Sequence, residues 1–262
     1  MKISMCIMIL PRLEVFFLEE FIEHHLMLGV DKVYIYDNGT RVVENKWRRG
    51  KMWIPRRLSS EERGVKWAKK PEADYFLDYT DEQIYDKLNE VVEKFPNQVE
   101  LRSWIRGKDH NSRHPSQQNR AYQNCIENNK SDWWLLIDPD EYIVLKEHDD
   151  LRGLMTKYPE TTCFRFYSRI FEERKRDVPV RSIFNWGYDF KRNFKPLVIN
   201  KIKRYHIHSI TPEPNVTTHL PRNTAVYHHY RGSPSTMGGS AHYHRRQRKF
   251  DKYDDTMKKY LK

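Results

Sequence analysis

Cysteine is scarce. Cys6, Cys125 and Cys163 are the only three in 262 residues, and neither a CxxC pair nor a Cys/His finger spacing occurs. An odd, scattered set excludes a disulfide framework and a zinc ribbon, and it favours a reducing compartment. Long apolar runs are missing as well. Met1 to Leu10 is apolar but too short to span a bilayer and runs into Pro11 and Arg12. We read it as the first core strand rather than a leader, and expect a cytoplasmic, soluble or peripheral protein. Internal repeats and low-complexity tracts are absent, and no break in composition divides the chain. Hydrophobic residues make up only 38%, but aromatics reach 13%. That content excludes a disordered chain and suits one folded α/β domain.

Acidic residues are outnumbered, 36 against 47 Lys and Arg, for a net charge of +11. The excess suits general solubility or an anionic partner: a nucleotide diphosphate, a phospholipid surface or nucleic acid. Part of it is local, since Ala241 to Lys262 carries eight Lys/Arg against three Asp. Such a tail reads as a solvated helix, with peripheral membrane contact as the functional alternative.

Periodicity organises the first half. Lys2–Leu10 reads as a strand. Glu14–Leu28 has helical spacing, with Gly29 as its stop, and Asp31–Tyr36 alternates like a second strand. Asp37-Asn38-Gly39-Thr40 is a turn. Residues 41–79 are charged and aperiodic, an irregular insertion. Thr80-Asp81-Glu82-Gln83 opens a helix as a capping box. Val99–Ile105 is a strand, Pro115 stands near the start of a helix running to about Asn129, and Trp133–Ile137 is a short buried strand. This order predicts a doubly wound, mostly parallel sheet with helices around it, whose ligands bind beyond the carboxyl ends of the strands. Later, a helix over Leu151–Tyr158 and strands over Thr161–Tyr167, Pro196–Asn200, Arg204–Ile210 and Thr224–Arg231 are expected. Arg169–Phe194 reads as irregular.

Asp138-Pro139-Asp140-Glu141 follows the Trp133–Ile137 strand. Two carboxylates at i, i+2 beyond a strand can share a hard divalent cation, Mn²⁺ or Mg²⁺, and leave positions open for diphosphate oxygens. A polar turn accounts for the same four residues, because Asp and Pro are good turn formers. Asp37, at the end of the second strand, can accept hydrogen bonds from a base or ribose; a simple Asp-Asn-Gly turn is the equal alternative. His206, His208, His228 and His229 are the imidazoles available to complete a metal shell, and we select His208 and His228. His228 and His229, adjacent in a strand, point to opposite faces. Arg231 and Lys195 are candidates for phosphate contact, and Trp186 for stacking on a sugar ring. A transfer to a hydroxyl needs a base. Asp189 is our selection, in competition with Glu172, Glu173 and Asp177. Glu141 either supports the metal shell or begins the next strand.

Four blocks resemble glycosyltransferase family 92. Leu18 to Asn38, which contains Glu23-His24-His25 and Val33-Tyr34-Ile35-Tyr36-Asp37-Asn38, is similar to the family's "L-x-E-W-I-E-Y-H-x-x-L-G-V-x-x-x-Y-I-Y-D-N". Gln118 to Cys125 is similar to its "Q-x-x-A-Y-x-x-C". Trp134 to Tyr142 is similar to "W-x-x-x-I-D-x-D-E-F", and Val226 to Arg231 to a late "H-H-Y-R". Two departures stand beside these. Pro11-Arg12-Leu13-Glu14 replaces the family's "K-N-E", keeping only Glu14, and the "F-G-S-S-G-H" segment is absent.

The resemblance implies a GT-A fold, a Rossmann-like sheet with a smaller acceptor-side β region. It also implies a divalent metal, a UDP-sugar donor and inverting transfer. It places Asp37 at the nucleotide, and Asp138 and Asp140 at the nucleotide and metal; beside these we expect Glu14 and Arg231 at the nucleotide-sugar, and His208 and His228 at the metal. The expected layout is a nucleotide-binding part over about 1–145, an acceptor part over about 146–235 and the basic tail over 236–262. The expected partners are a UDP-sugar and a glycan or glycoprotein acceptor, with no nucleic acid. Two rival readings are kept open. A nucleotidyltransferase would usually carry a Gly-rich basic loop after the first strand, where Pro11-Arg12-Leu13 stands. A nucleic-acid binder would use the basic aromatic surface, but no groove-binding or single-strand motif accompanies it.

Overall fold

The computed structural model describes residues 1–39, 79–104, 114–171, 179–182, 185–205, 210–230 and 252–261. At its centre, β1 (Ile3–Ile9) is buried on both faces, as an unbroken apolar run requires of a central parallel strand. Pro11 starts α1 (Pro11–Met27), its fixed φ suiting the first turn. Gly29, at φ 89°, ends it: the Gly29 amide returns to Leu26 O at 2.9 Å and Val30 N–H to His25 O at 3.1 Å. That pair of bonds is the Schellman closure, and it needs a left-handed residue. β2 (Lys32–Asp37) then pairs parallel with β1.

α2 (Asp81–Glu93) carries the expected capping box. Gln83 N–H donates to Thr80 Oγ1 at 3.2 Å, and Thr80 N–H to Gln83 Oε1 at 2.8 Å. Its Ile84, Leu88 and Val91 are buried, packing the helix on α1. β3 (Val99–Ser103) joins β2 in parallel, α3 (His114–Glu127) follows, and β4 (Trp133–Leu136) joins the far side of β1, again in parallel. Two cores result, one on each face. Met5, Ile7 and Ile9 meet Phe21, Ile22 and Leu88, while Cys6 and Met8 meet Ala121, Cys125 and Trp134. All three cysteines are free and buried.

In the second half, β5 (Glu141–Leu145) begins at Glu141, inside the acidic turn, as one of the two readings of that residue has it. After α4 (Leu151–Lys157), β6 runs over Cys163–Phe171 and β7 over Asn185–Ile199, through residues read as irregular. Asn185, Lys191, Arg192 and Asn193 hide the strand pattern. Antiparallel pairing with β6 from Cys163 to Ile170 supplies the order that local propensity does not, with a register shift at Tyr167/Ser168. β8 (Ile202–Arg204) and β9 (Thr211–Pro212) form a separate small sheet. Residues 206–209 of the expected Arg204–Ile210 strand lie outside the described residues, as does nearly all of the 41–79 insertion. β10 (Thr217–His219) and β11 (Ala225–Tyr230) pair parallel with β6, and β11 pairs antiparallel with β5.

The central sheet therefore reads β3-β2-β1-β4-β7-β6-β11-β5, parallel through its first four strands and mixed thereafter. The predicted α/β class holds: a central, mostly parallel sheet with helices on its faces. β5 forms one edge, and its outward backbone groups meet side chains. His24 Nε2 donates to Ile143 O at 2.7 Å, and Ile143 N–H donates to His25 Nε2 at 3.5 Å. Leu145 N–H donates to the Tyr260 hydroxyl at 2.9 Å.

Residues 236–251 of the basic tail lie outside the described residues. Beyond them the chain is not a solvated helix. β12 (Lys252–Asp254) pairs with β7, and a 3₁₀ turn over Thr256–Tyr260 buries Met257 and Tyr260. Among the described residues, no helix is long and apolar enough to cross a membrane.

Candidate functional site

The chain lays down β1, β2 and β3 to one side, then crosses to β4 on the other. The carboxyl end of β1 is thus a topological switch point, where open α/β sheets leave a crevice. Asp37 ends β2 on one flank, and Asp138 follows β4 on the other. Glu14 is buried in the first turn of α1, just past the end of β1. Asp37 is buried too. Its Oδ1 accepts from Gly39 N–H at 2.7 Å, and burial pushes its carboxyl above the usual range against the hydrogen bonds from Gly39 and Tyr85.

The Asp138–Glu141 segment is a tight turn joining β4 to β5. Glu141 N–H returns to Asp138 O at 3.0 Å, and Asp138 N–H donates to Glu141 Oε2 at 3.0 Å. Asp138 is gripped from two elements. Gln118 Nε2 on α3 donates to its Oδ1, and Lys195 Nζ on β7 donates to its Oδ2 at 2.6 Å. Gln118 also donates to the Tyr122 hydroxyl at 2.8 Å, which donates on to Ile137 O at 2.9 Å. These two side chains sit one helical turn apart, so α3 presents both to the end of β4.

Lys195 is fully buried and also lies 2.9 Å from Glu141 Oε2. Burial alone would lower its pKa; the charges of Asp138 and Glu141 override that and hold the ammonium protonated. Glu141 shows the reverse. Burial pushes its carboxyl up to about 7, with Lys195 pulling it down and Asp138 pushing it further up.

Asp140 turns toward β11. His229 Nε2 lies 3.3 Å from Asp140 Oδ2, and its Nδ1 lies 3.7 Å from Glu141 Oε1. One ligand atom from each of Asp140, Glu141 and His229 falls within 4.8 Å of the others. His229 Nδ1 is buried with no hydrogen-bond partner among the described residues. Two carboxylates and an imidazole with that unmatched ring nitrogen suit one divalent cation of the Mn²⁺ or Mg²⁺ kind.

The structure brings His229, rather than His228, to the acidic turn. His228, expected at the metal, points to the opposite face of β11, where its Nε2 lies 3.4 Å from Asp254 Oδ2 and burial lowers its pKa. Register decides the matter: His229 stands across from Glu141 on β5, whereas His228 stands across from Tyr142. Alternation in the sequence separated the two faces without saying which one meets the acidic turn. His208 and Arg231 lie outside the described residues. Asp189 lies on β7 opposite Arg169 of β6, the cation that binds Asp254, and its side chain lies outside the described ones. Lys195, expected at phosphate, instead bridges two acids. The Gln118–Tyr122 grip had two signals, its i, i+4 spacing and its place in the Gln118–Cys125 block that is similar to glycosyltransferase family 92.

No protein-family model matches the chain, and no curated protein does. Solved structures of related shape include S. aureus TarS 1-349, with a TM-score of 0.41 and 11% identity over 88% of this chain and 61% of that one. Another is the mannosyltransferase PcManGT from Pyrobaculum calidifontis in complex with GDP-Man and Mn²⁺, with a TM-score of 0.33 and 9% identity over 67% of this chain and 36% of that one. A third is glucosyl-3-phosphoglycerate synthase from Mycobacterium tuberculosis with Mn²⁺ and UDP-glucose, with a TM-score of 0.29 and 13% identity over 66% and 44%. In each case the chain spans less than two thirds of the length of the structure it is similar to.

Proposed function

We propose that the protein is a metal-dependent glycosyltransferase. It moves a hexose, galactose or a similar sugar, from a UDP-sugar to a hydroxyl of a glycan or glycoprotein, with inversion. One observation carries this reading: Asp140, Glu141 and His229 converge beside the switch-point crevice. The blocks similar to glycosyltransferase family 92 support it, since the acidic turn and the two adjacent histidines both belong to them.

In this reading Asp140, Glu141 and His229 hold Mn²⁺ or Mg²⁺. Bound there, the cation supplies positive charge for the diphosphate leaving group. Asp138, fixed by Gln118 and Lys195, presents its remaining acceptor capacity to the nucleotide. Asp37 faces the base or ribose across the crevice, with Glu14 beneath. Arg231, directly after β11, contacts phosphate. Asp189 is the proposed base: it takes the proton of the acceptor hydroxyl, whose oxygen bonds to the anomeric carbon as UDP departs.

The test is release of free nucleotide diphosphate from a panel of nucleotide-sugars with Mn²⁺ present. We expect slow hydrolysis of a UDP-hexose, abolished by EDTA and by Asp140→Ala. If neither UDP nor any nucleotide-sugar causes hydrolysis or a metal-dependent rise in Tm, the reading is wrong.

A further inference from the structure

Glu141 and His229 stand on neighbouring strands, β5 and β11, and a single segment grips both strands away from the proposed site. Asp254, at the end of β12, is buried where β6, β11 and β5 lie side by side. Arg169 of β6 donates to its Oδ2, His228 Nε2 of β11 lies at 3.4 Å, and Lys146 Nζ, just past β5, lies at 3.9 Å. Thr256 pins the carboxylate from below: its backbone N–H donates to Oδ1 at 2.9 Å and its hydroxyl donates to the same oxygen. Four residues after Thr256, the Tyr260 hydroxyl takes the Leu145 N–H and donates to Leu145 O at 3.2 Å. One carboxylate thus draws three strands together, and the same segment closes the end of β5.

The strand so held reaches the acidic turn through its backbone. His228 and His229 share β11 and point to its two faces, one to Asp254 and one to Asp140. The next residue, Tyr230, donates its N–H to Asp140 O at 3.0 Å. A shift of β11 would therefore move the His229 ring and the Asp140 carbonyl together.

We propose that Asp254 is a positioning residue for this site. By tying His228 to Arg169 and Lys146, it sets the height of β11 and so the reach of His229 toward Asp140 and Glu141. The proposal rests on reading those three residues as the metal ligands. Residues outside the ligand set that orient ligands typically change metal affinity 10- to 100-fold when altered.

The experiment compares full-length wild type, Asp254→Asn and Thr256→Ala by two readouts. The first is Mn²⁺ affinity, from calorimetry and from the Mn²⁺ EPR signal. The second, which needs no metal, is hydrogen exchange at the Tyr230 amide. For Asp254→Asn we expect Mn²⁺ binding weakened about tenfold and exchange at Tyr230 accelerated, with amides of the β1–β2 pairing unchanged. Thr256→Ala should shift both readouts in the same direction by less, and it decides the matter if Asp254→Asn does not fold. A lower Tm with wild-type Mn²⁺ affinity and wild-type exchange at Tyr230 would mean that Asp254 only anchors the segment, and would overturn the proposal. If wild type binds no Mn²⁺, the ligand reading fails, while the Tyr230 exchange still decides whether Asp254 holds β11.

Discussion

Acid should unfold this protein through two histidines that have no part in the proposed chemistry. His25 is fully buried in α1. Its Nδ1–H donates to Phe21 O at 2.8 Å, and its Nε2 accepts from Ile143 N–H, so both nitrogens are committed in the neutral form. Burial lowers its pKa from 6.5 to about 4, against the hydrogen bond to Phe21. A group depressed in the folded state contributes stability that is fully present above its unfolded pKa. That contribution is lost as pH falls from about 6.5 through about 4. A shift of about 2.5 units at about 1.4 kcal/mol each is worth about 3 kcal/mol. His24 is also buried, with its pKa pushed well down by burial and then by His25, so it adds to the loss as pH falls below about 6.5. Urea unfolding of wild type and His25→Gln at pH 7.5, 6, 5 and 4 would measure the effect. Glutamine keeps a polar group without the charge, and the carboxylate contributions common to both chains cancel in the difference. We expect the variant to be less stable at pH 7.5 but to lose about 3 kcal/mol less between pH 6.5 and 4. Parallel curves would show that His25 is not held neutral in the fold, and the argument would fail.

Two other substitutions test the packing around the site. Lys195→Met removes the only ammonium touching Asp138 and Glu141 among the described residues, and should cost about 3–5 kcal/mol in urea unfolding at pH 8, the usual penalty for orphaning a buried charge. Mn²⁺ should recover more stability in that variant than in wild type; a loss below about 1 kcal/mol would mean that the cluster is solvated. Gly29→Ala forces a left-handed φ of 89° on a residue with a side chain, and its Cβ would stand 2.7 Å from Arg152 Nη1, which donates to Gly29 O. A loss of about 1–2 kcal/mol is expected, and an unchanged Tm would show that the Schellman closure is dispensable.

The first half of the fold was legible because its signals are local. Thr80 and Gln83 form a capping box within four residues, and Gly29 marks the end of α1. The apolar runs of β1 and β4 are those of strands buried on both faces. The earlier part of β7 was not legible, because Asn185 to Asn193 become a strand only through partners on β6, some 20 residues away in sequence, and on β12, more than 60 away. The site divides in the same way. The acidic turn could be found from four consecutive residues. Choosing His229 over His228 required the β11–β5 register, and finding Lys195 between two acids required β7 to be a strand that turns Lys195 to the acidic turn.

β5 stands at the edge of the sheet, five buried residues of which four are apolar. An exposed strand of that kind is a template for pairing with another molecule. Here the open hydrogen-bonding sites are plugged by side chains: His24 and His25 at Ile143, and Tyr260 at Leu145. Of the three plugs, His25 accepts from Ile143 N–H only while its ring is uncharged. As pH falls through about 4 that plug is lost, and acid exposure is expected to lead this protein toward strand-to-strand aggregation as well as unfolding.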